Sequence, residues 1–123
     1  MKETIIRVCL NALAQKAIEI LNRKGDGKMK IWLDDIRPAP KDFLLVHSVN
    51  EAIALIEKAE MEGACIELID CDHDLGDYFD DGGDGIKLLD WLCERQTFYP
   101  IALHTANPVG RDNMLRLIRR HWK

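Results

Sequence analysis

Four short apolar runs, Met29 to Leu33, Phe43 to Val46, Cys65 to Cys71 and Pro100 to His104, are separated for the most part by longer stretches of helical periodicity. This alternation constrains the fold more than any other feature. Runs of this length, rich in Ile, Leu and Val and bounded by Gly, Pro, Asp or Ser, read as buried strands. Between and after them, Val49 to Glu62 places Ala52, Ile53, Ile56 and Ala59 on one helical face, with Ser48 as its cap and Gly63 as its stop. Gly85 to Arg95 repeats the pattern with Ile86, Leu89, Trp91, Leu92 and Cys93, and Asn107-Pro108 reads as an N-cap followed by proline at the first helical position of Val109 to His121. Strands that alternate with helices in this way build an α/β fold of three layers around a short, mostly parallel sheet.

One link departs from that rule. Only Ile36 to Asp42, with Pro38 and Pro40 inside it, separates the first two strands, whereas a parallel crossover usually takes a dozen residues and a helix. The sequence therefore predicts either an irregular crossover or a poorly formed second strand. Ahead of the first strand, Thr4 to Arg23 has the spacing of an amphipathic helix through Ile6, Leu10, Leu13, Ala14, Ala17 and Leu21, ended by Gly25 and Gly27. At 123 residues there is room for one domain, so residues 1–28 are expected to be a helical extension, covering the otherwise open sheet face, and 29–123 the α/β domain.

Charge narrows the partners. Residues 1–30 hold seven Lys/Arg against three Asp/Glu, and residues 31–123 hold ten against eighteen, so the formal net charge of -4 hides a basic start and an acidic remainder. The sharpest negative focus is Asp70, Asp72, Asp74, Asp77, Asp80, Asp81 and Asp84, with no Lys or Arg among them. Such a run attracts divalent cations. A polyanion would need Arg111, Arg116, Arg119, Arg120 and Lys123 near the other end of the sequence. No apolar run is long enough to span a bilayer and no secretory signal opens the chain, which gives an expectation of a cytoplasmic protein. Cys9, Cys65, Cys71 and Cys93 form no CxxC pair and read as small apolar residues rather than a disulfide or zinc framework. Gly82-Gly83-Asp84-Gly85 lacks the Lys-Ser/Thr of a nucleotide P-loop, and the Asp spacing fails that of an EF-hand.

In an open parallel sheet, ligands bind outside the carboxyl ends of the strands, where the strand order reverses. The four strands end in Asp34 and Asp35; His47 and Ser48; Asp72, His73 and Asp74; and His104, Thr105 and Asn107. Carboxylates from separate strands make a hard oxygen set suited to Mg²⁺ or Mn²⁺, although each Asp can equally cap a turn. His73 and His104 are candidate proton carriers, while His47 is expected to be an ordinary surface residue. Thr105, Asn107 and Arg111, at the start of the last helix, are candidates for holding a phosphate.

Taken together, Lys30-Ile31-Trp32-Leu33-Asp34-Asp35-Ile36-Arg37-Pro38, Asp72-His73-Asp74-Leu75-Gly76 and His104-Thr105-Ala106-Asn107-Pro108-Val109-Gly110-Arg111 resemble the cyclic-phosphate processing receiver-domain family, a divergent relative of response-regulator receivers. The resemblance covers about Met29 to Arg120. It implies a flavodoxin-like sheet of order 2-1-3-4, truncated relative to a full receiver, since no fifth strand with its lysine follows. It also implies cation binding by Asp34 and Asp35 beside a phosphoacceptor position at Asp72, with Thr105 as the hydroxyl residue after the fourth strand. The expectation is a metal-assisted phosphoesterase acting on a cyclic nucleotide or an RNA cyclic-phosphate end. In it, Asp34, Asp35, Asp72 and Asp74 hold the metal, His73 and His104 serve as acid and base, and Arg37, Thr105, Asn107 and Arg111 hold the phosphate. Alternatives are a signalling module phosphorylated on Asp72 and a non-catalytic interaction domain.

Overall fold

The computed structural model describes residues 28–123, so the predicted helix Thr4 to Arg23 lies outside the described residues. The chain from Lys28 onward runs β1 (Lys28–Leu33), β2 (Leu44–Val46), α1 (Val49–Met61), β3 (Cys65–Cys71), a 3-10 turn (Gly76–Asp80), α2 (Ile86–Arg95), β4 (Ile101–Leu103) and α3 (Pro108–His121). The four strands form one sheet in the order β2-β1-β3-β4, and every pairing is parallel. The chain thus has the truncated receiver-like α/β fold that its motifs imply.

Alternation along the strands sets the two faces of the sheet. Met29, Ile31 and Leu33 of β1 and Ile66, Ile69 and Cys71 of β3 are buried, and they share a single core with Ala52, Leu55, Ile56 and Ala59 of α1, Leu88, Leu89 and Leu92 of α2, and Met114 of α3. The intervening residues Lys30, Trp32 and Asp70 are only partly buried. Helix α1 starts where Ser48 accepts a hydrogen bond from the Glu51 N–H at 3.1 Å, and the Glu51 carboxylate in return accepts from the His47 N–H at 2.7 Å. Helix α3 starts on Asn107, whose side chain accepts from the Gly110 N–H at 3.1 Å, with Pro108 in the first turn.

The short β1–β2 link resolves as an irregular crossover into a genuine strand. Leu44 pairs with Ile31, only two residues before the end of β1. The chain therefore has to travel back just ~7 Å along the strand direction at ~3.3 Å per residue, which a loop manages without a helix. Asp42 in that loop takes a positive φ of 72°, and the Phe43 N–H bonds the Pro40 carbonyl. Because β1 leads first to β2 on one side and the chain then crosses to β3 on the other, the switch point lies between the ends of β1 and β3.

Candidate functional site

At that switch point an open cleft of about 340 Å³ is lined by Asp35, Arg37, Asp72, Asp74, Thr105 and Asn107, with Ile36, Gly76 and Ala106 completing its wall. Six of the ten residues singled out from the sequence thus meet in one place. Asp34, His73 and His104 stand behind or beside the cleft rather than on its surface. Arg111 is exposed on the first turn of α3 and does not line it.

Asp34 is the buried footing of the site. One of its oxygens accepts the N–H groups of Ile36 and Arg37, both at 2.8 Å, which folds the turn after β1. The other lies 2.8 Å from His104 Nε2 and 3.8 Å from the Arg37 guanidinium. Burial pushes this carboxyl up, but the two backbone N–H groups and the imidazole outweigh it and hold Asp34 below the usual carboxylate range. Arg37 Nη1 also donates to the His104 carbonyl at 2.6 Å, tying the ends of β1 and β4 together.

The surroundings of His104 change what it can do. Its Nδ1 lies 2.7 Å from Asp70 and its Nε2 2.8 Å from Asp34, while the ring stacks on Trp32 at 3.7 Å between centroids and 4° between planes. Neither nitrogen is free to meet a substrate unless a carboxylate lets go. Asp70 was counted in the sequence only as part of the acidic run; its partnership with His104 depends on β3 and β4 pairing with Asp70 beside Ala102.

His73 has the opposite character. Its Nδ1 meets Asp74 at 2.7 Å, and Asp74 is held in turn by the Asn107 amide at 3.1 and 3.2 Å. Its Nε2 has no partner among the described residues. Those contacts, His73 first and Asn107 second, keep the Asp74 carboxyl below its usual range. The ring lies directly on the backbone of α3: a β-carbon at Gly110 would fall 2.4 Å from His73 Cγ. Glycine at 110 is therefore the steric condition for this placement.

Asp72 sits 7% exposed at the end of β3. Burial raises its carboxyl; the Thr105 hydroxyl offsets part of the rise, and the neighbouring Asp34 charge adds to it. Asp35 faces the cleft against Gly76, where a β-carbon would come within 2.5 Å of its Oδ2 and where the backbone takes a φ of +50°. Donor atoms of Asp34, Asp72 and His104 lie within 4.8 Å of one another, as do those of His73, Asp74 and Asp84. Asp84 already accepts the Leu75 N–H at 3.2 Å, and Asp81 accepts from Ser48 at 2.6 Å and Asn50 at 3.0 Å. The later part of the acidic run thus staples its own loop. His47 stacks on Tyr78 at 5.1 Å, away from the cleft residues.

A search of curated proteins and a search of solved structures each return no match. No helix among the described residues is long and apolar enough to cross a membrane. The model of one family, described as the cyclic-phosphate processing receiver domain, matches residues 29–120 and so takes in all four strands, the three helices almost to the end and every cleft residue. With three-quarters of its length matched, the chain belongs to the cyclic-phosphate processing receiver-domain family.

Proposed function

We propose that this protein is a metal-assisted phosphoesterase that opens a cyclic phosphodiester, on a nucleotide or at an RNA end. The observation that carries this reading is the convergence of three carboxylates with the Arg37, Thr105 and Asn107 side chains in one cleft, beside an imidazole with one nitrogen unpartnered among the described residues. Asp35 and Asp72 are the residues to hold Mg²⁺ or Mn²⁺, with Asp74 at the same wall and Asp34 fixing the turn beneath them. A hard cation suits this set: the donors are carboxylate oxygens, and a cation would offset the burial, and secondarily the Asp34 charge, that raise the Asp72 carboxyl. When bound, such an ion supplies charge neutralisation and orientation of the phosphate.

The chain's own groups account for the rest. Arg37, Thr105 and Asn107 line the cleft to position the phosphate oxygens. Asp74 orients His73 through Nδ1, leaving Nε2 to take a proton from the attacking water. Water adds at phosphorus, one P–O ester bond breaks, and the departing oxygen recovers the proton from His73, giving a phosphomonoester and a free hydroxyl. His104, bound on both nitrogens, links Asp34 to Asp70 and keeps the floor of the site in place. Arg111 takes no part in this cleft.

The test is turnover of a panel of 2′,3′-cyclic and 3′,5′-cyclic nucleotides with Mg²⁺ or Mn²⁺. Hydrolysis that disappears in His73→Ala is the expected result; wild-type activity no higher than that of the variant removes the reading for those substrates. The Thr105 hydroxyl, which shares the cleft with Asp72 and lowers its carboxyl against burial, favours one second reading, phosphorylation of Asp72 as in receivers. Incubation with acetyl phosphate and Mg²⁺ followed by intact mass separates the two, since only that reading yields a labile phosphoryl adduct absent from Asp72→Ala.

A further inference from the structure

Charge is distributed along this chain in a way that the cleft does not use. Residues 31–107 hold five Lys/Arg against seventeen Asp/Glu, and residues 108–123 hold five against one. The reversal falls within α3 and its last residues. At 100° per residue, Val109, Asp112, Asn113, Arg116, Arg119 and Arg120 fall within about 120° of the helix circumference; each of them is exposed, as is Lys123 just beyond the end of the helix. Met114, Leu117 and Ile118 on the other side pack into or against the core. Arg116, Arg119, Arg120 and Lys123 form no ion pair among the described residues. Favourable interaction with the carboxyl end of a helix accounts for Arg119 and Arg120 in the last turn, but not for Arg116 a turn earlier.

The helix that carries this face starts at the cleft. Asn107, which lines the cleft and binds Asp74, is the cap of α3, and Val109 next to it is 70% exposed. The first cation of this face, Arg116, stands nine residues beyond Asn107, ~13.5 Å along the axis at ~1.5 Å per residue, and Arg119 and Arg120 follow it by one turn. Residues 31–107 are dominated by carboxylates, which repel a polyanion, so among the described residues this face favours the approach of a phosphate-rich polymer. Arginine predominates in it, the side chain that engages phosphate through a planar fork of donors.

We propose that the exposed face of α3 with the residues just after it, Arg116, Arg119, Arg120 and Lys123, is a track for the phosphate backbone of single-stranded RNA whose end lies in the cleft. The substrate class of the proposed phosphoesterase is then an RNA terminus rather than a free cyclic nucleotide. This rests on the phosphoesterase reading for the location of the RNA end, but the binding itself does not require turnover.

The experiment measures fluorescence anisotropy of a labelled single-stranded RNA of ~10 nucleotides ending in a non-cyclic 3′-phosphate, at about 50 mM salt. Hydrolysis of a 2′,3′-cyclic mononucleotide is followed in parallel. Arg116→Glu/Arg119→Glu/Arg120→Glu is expected to weaken RNA binding at least tenfold and to flatten its salt dependence by ~0.7 log unit per lost phosphate contact. Lys87→Glu, an exposed charge reversal on α2, is expected to change neither. The Gln version of the triple variant gives the same readout should the Glu version fail to fold. Absence of RNA binding by the wild-type protein, equal binding by the triple variant, or tighter binding to duplex DNA or to an acidic peptide overturns the track. Should RNA binding depend on the three arginines while no cyclic phosphodiester is hydrolysed, the track stands and the phosphoesterase reading fails; mononucleotide turnover without arginine-dependent RNA binding gives the reverse.

Discussion

The two ends of the sheet handle charge in opposite ways. At the amino ends of the strands, Glu60 of α1 binds the Arg95 guanidinium at 2.6 Å and the Tyr99 hydroxyl, Arg95 lies over the Trp91 ring at 4.2 Å, and the Trp122 indole donates to the Tyr99 carbonyl at 2.8 Å. Glu60, Arg95, Tyr99 and Trp122 each have a partner there, and three helix ends are drawn together. At the carboxyl ends, Asp34, Asp35, Asp72 and Asp74 crowd around one arginine and two imidazoles. The first arrangement lowers the energy of the folded chain by itself. The second leaves Asp72 raised by burial and by its neighbour, which costs stability at neutral pH and suits a place where a cation and a phosphate complete the balance. Substitutions at the two ends should therefore divide between stability and chemistry.

The largest expected effect is on chemistry. His73→Ala should lower hydrolysis of a cyclic phosphodiester by ~10²–10⁴-fold, the usual contribution of a positioned acid–base group, with an unchanged midpoint of thermal unfolding. Next comes Asp34→Asn, which leaves the cleft lining intact but removes a charge from the footing of Asp72 and His104; divalent-cation affinity by calorimetry should fall ~10–100-fold, as for groups that support metal ligands. At the opposite end, Glu60→Gln should destabilise the fold by ~1.5–3 kcal/mol, the range for hydrogen bonds to a charged group, and leave turnover per folded molecule as it was. Equal losses of stability from His73→Ala and Glu60→Gln would erase the distinction between the two ends.

That distinction was only half legible in the sequence. The carboxyl-end residues follow directly from where apolar runs stop, so Asp35, Asp72, Asp74, Thr105 and Asn107 could be placed on one rim before any register was known. The caps Ser48 and Asn107 were legible for the same local reason. Asp70 was not, because its role needs the β3–β4 pairing that brings it beside Ala102 and within reach of His104. Gly110 gave no signal either, since a glycine in a helix shows its purpose only when the His73 ring is seen against it. Arg111 looked like a phosphate ligand from its nearness in sequence, but it stands exposed on the first turn of α3 and does not line the cleft. The Glu60–Arg95–Tyr99 cluster joins positions far apart in the chain and depends on how α1, α2 and β4 pack, which periodicity alone does not specify.

The smallest effect probes the paired end alone. Burial, together with the hydrogen bond and charge of Glu60, pushes the Tyr99 hydroxyl up to about 12, against about 10 for a tyrosine in an unfolded chain. Between those values the folded protein keeps a proton that the unfolded chain has lost. Unfolding then releases a proton, so the contribution of Tyr99 is fully present below about pH 10 and declines as pH rises toward 12. Denaturant unfolding of the wild-type protein and of Tyr99→Phe at a series of alkaline pH values isolates this residue, because every other titrating group is common to both. The stability difference between them should narrow or change sign as pH rises through this window, and turnover measured near neutrality should not distinguish them. A difference that stays constant up to pH 12 would mean that the Glu60 contact does not govern the Tyr99 proton, and that the amino end of the sheet is less firmly paired than its geometry indicates.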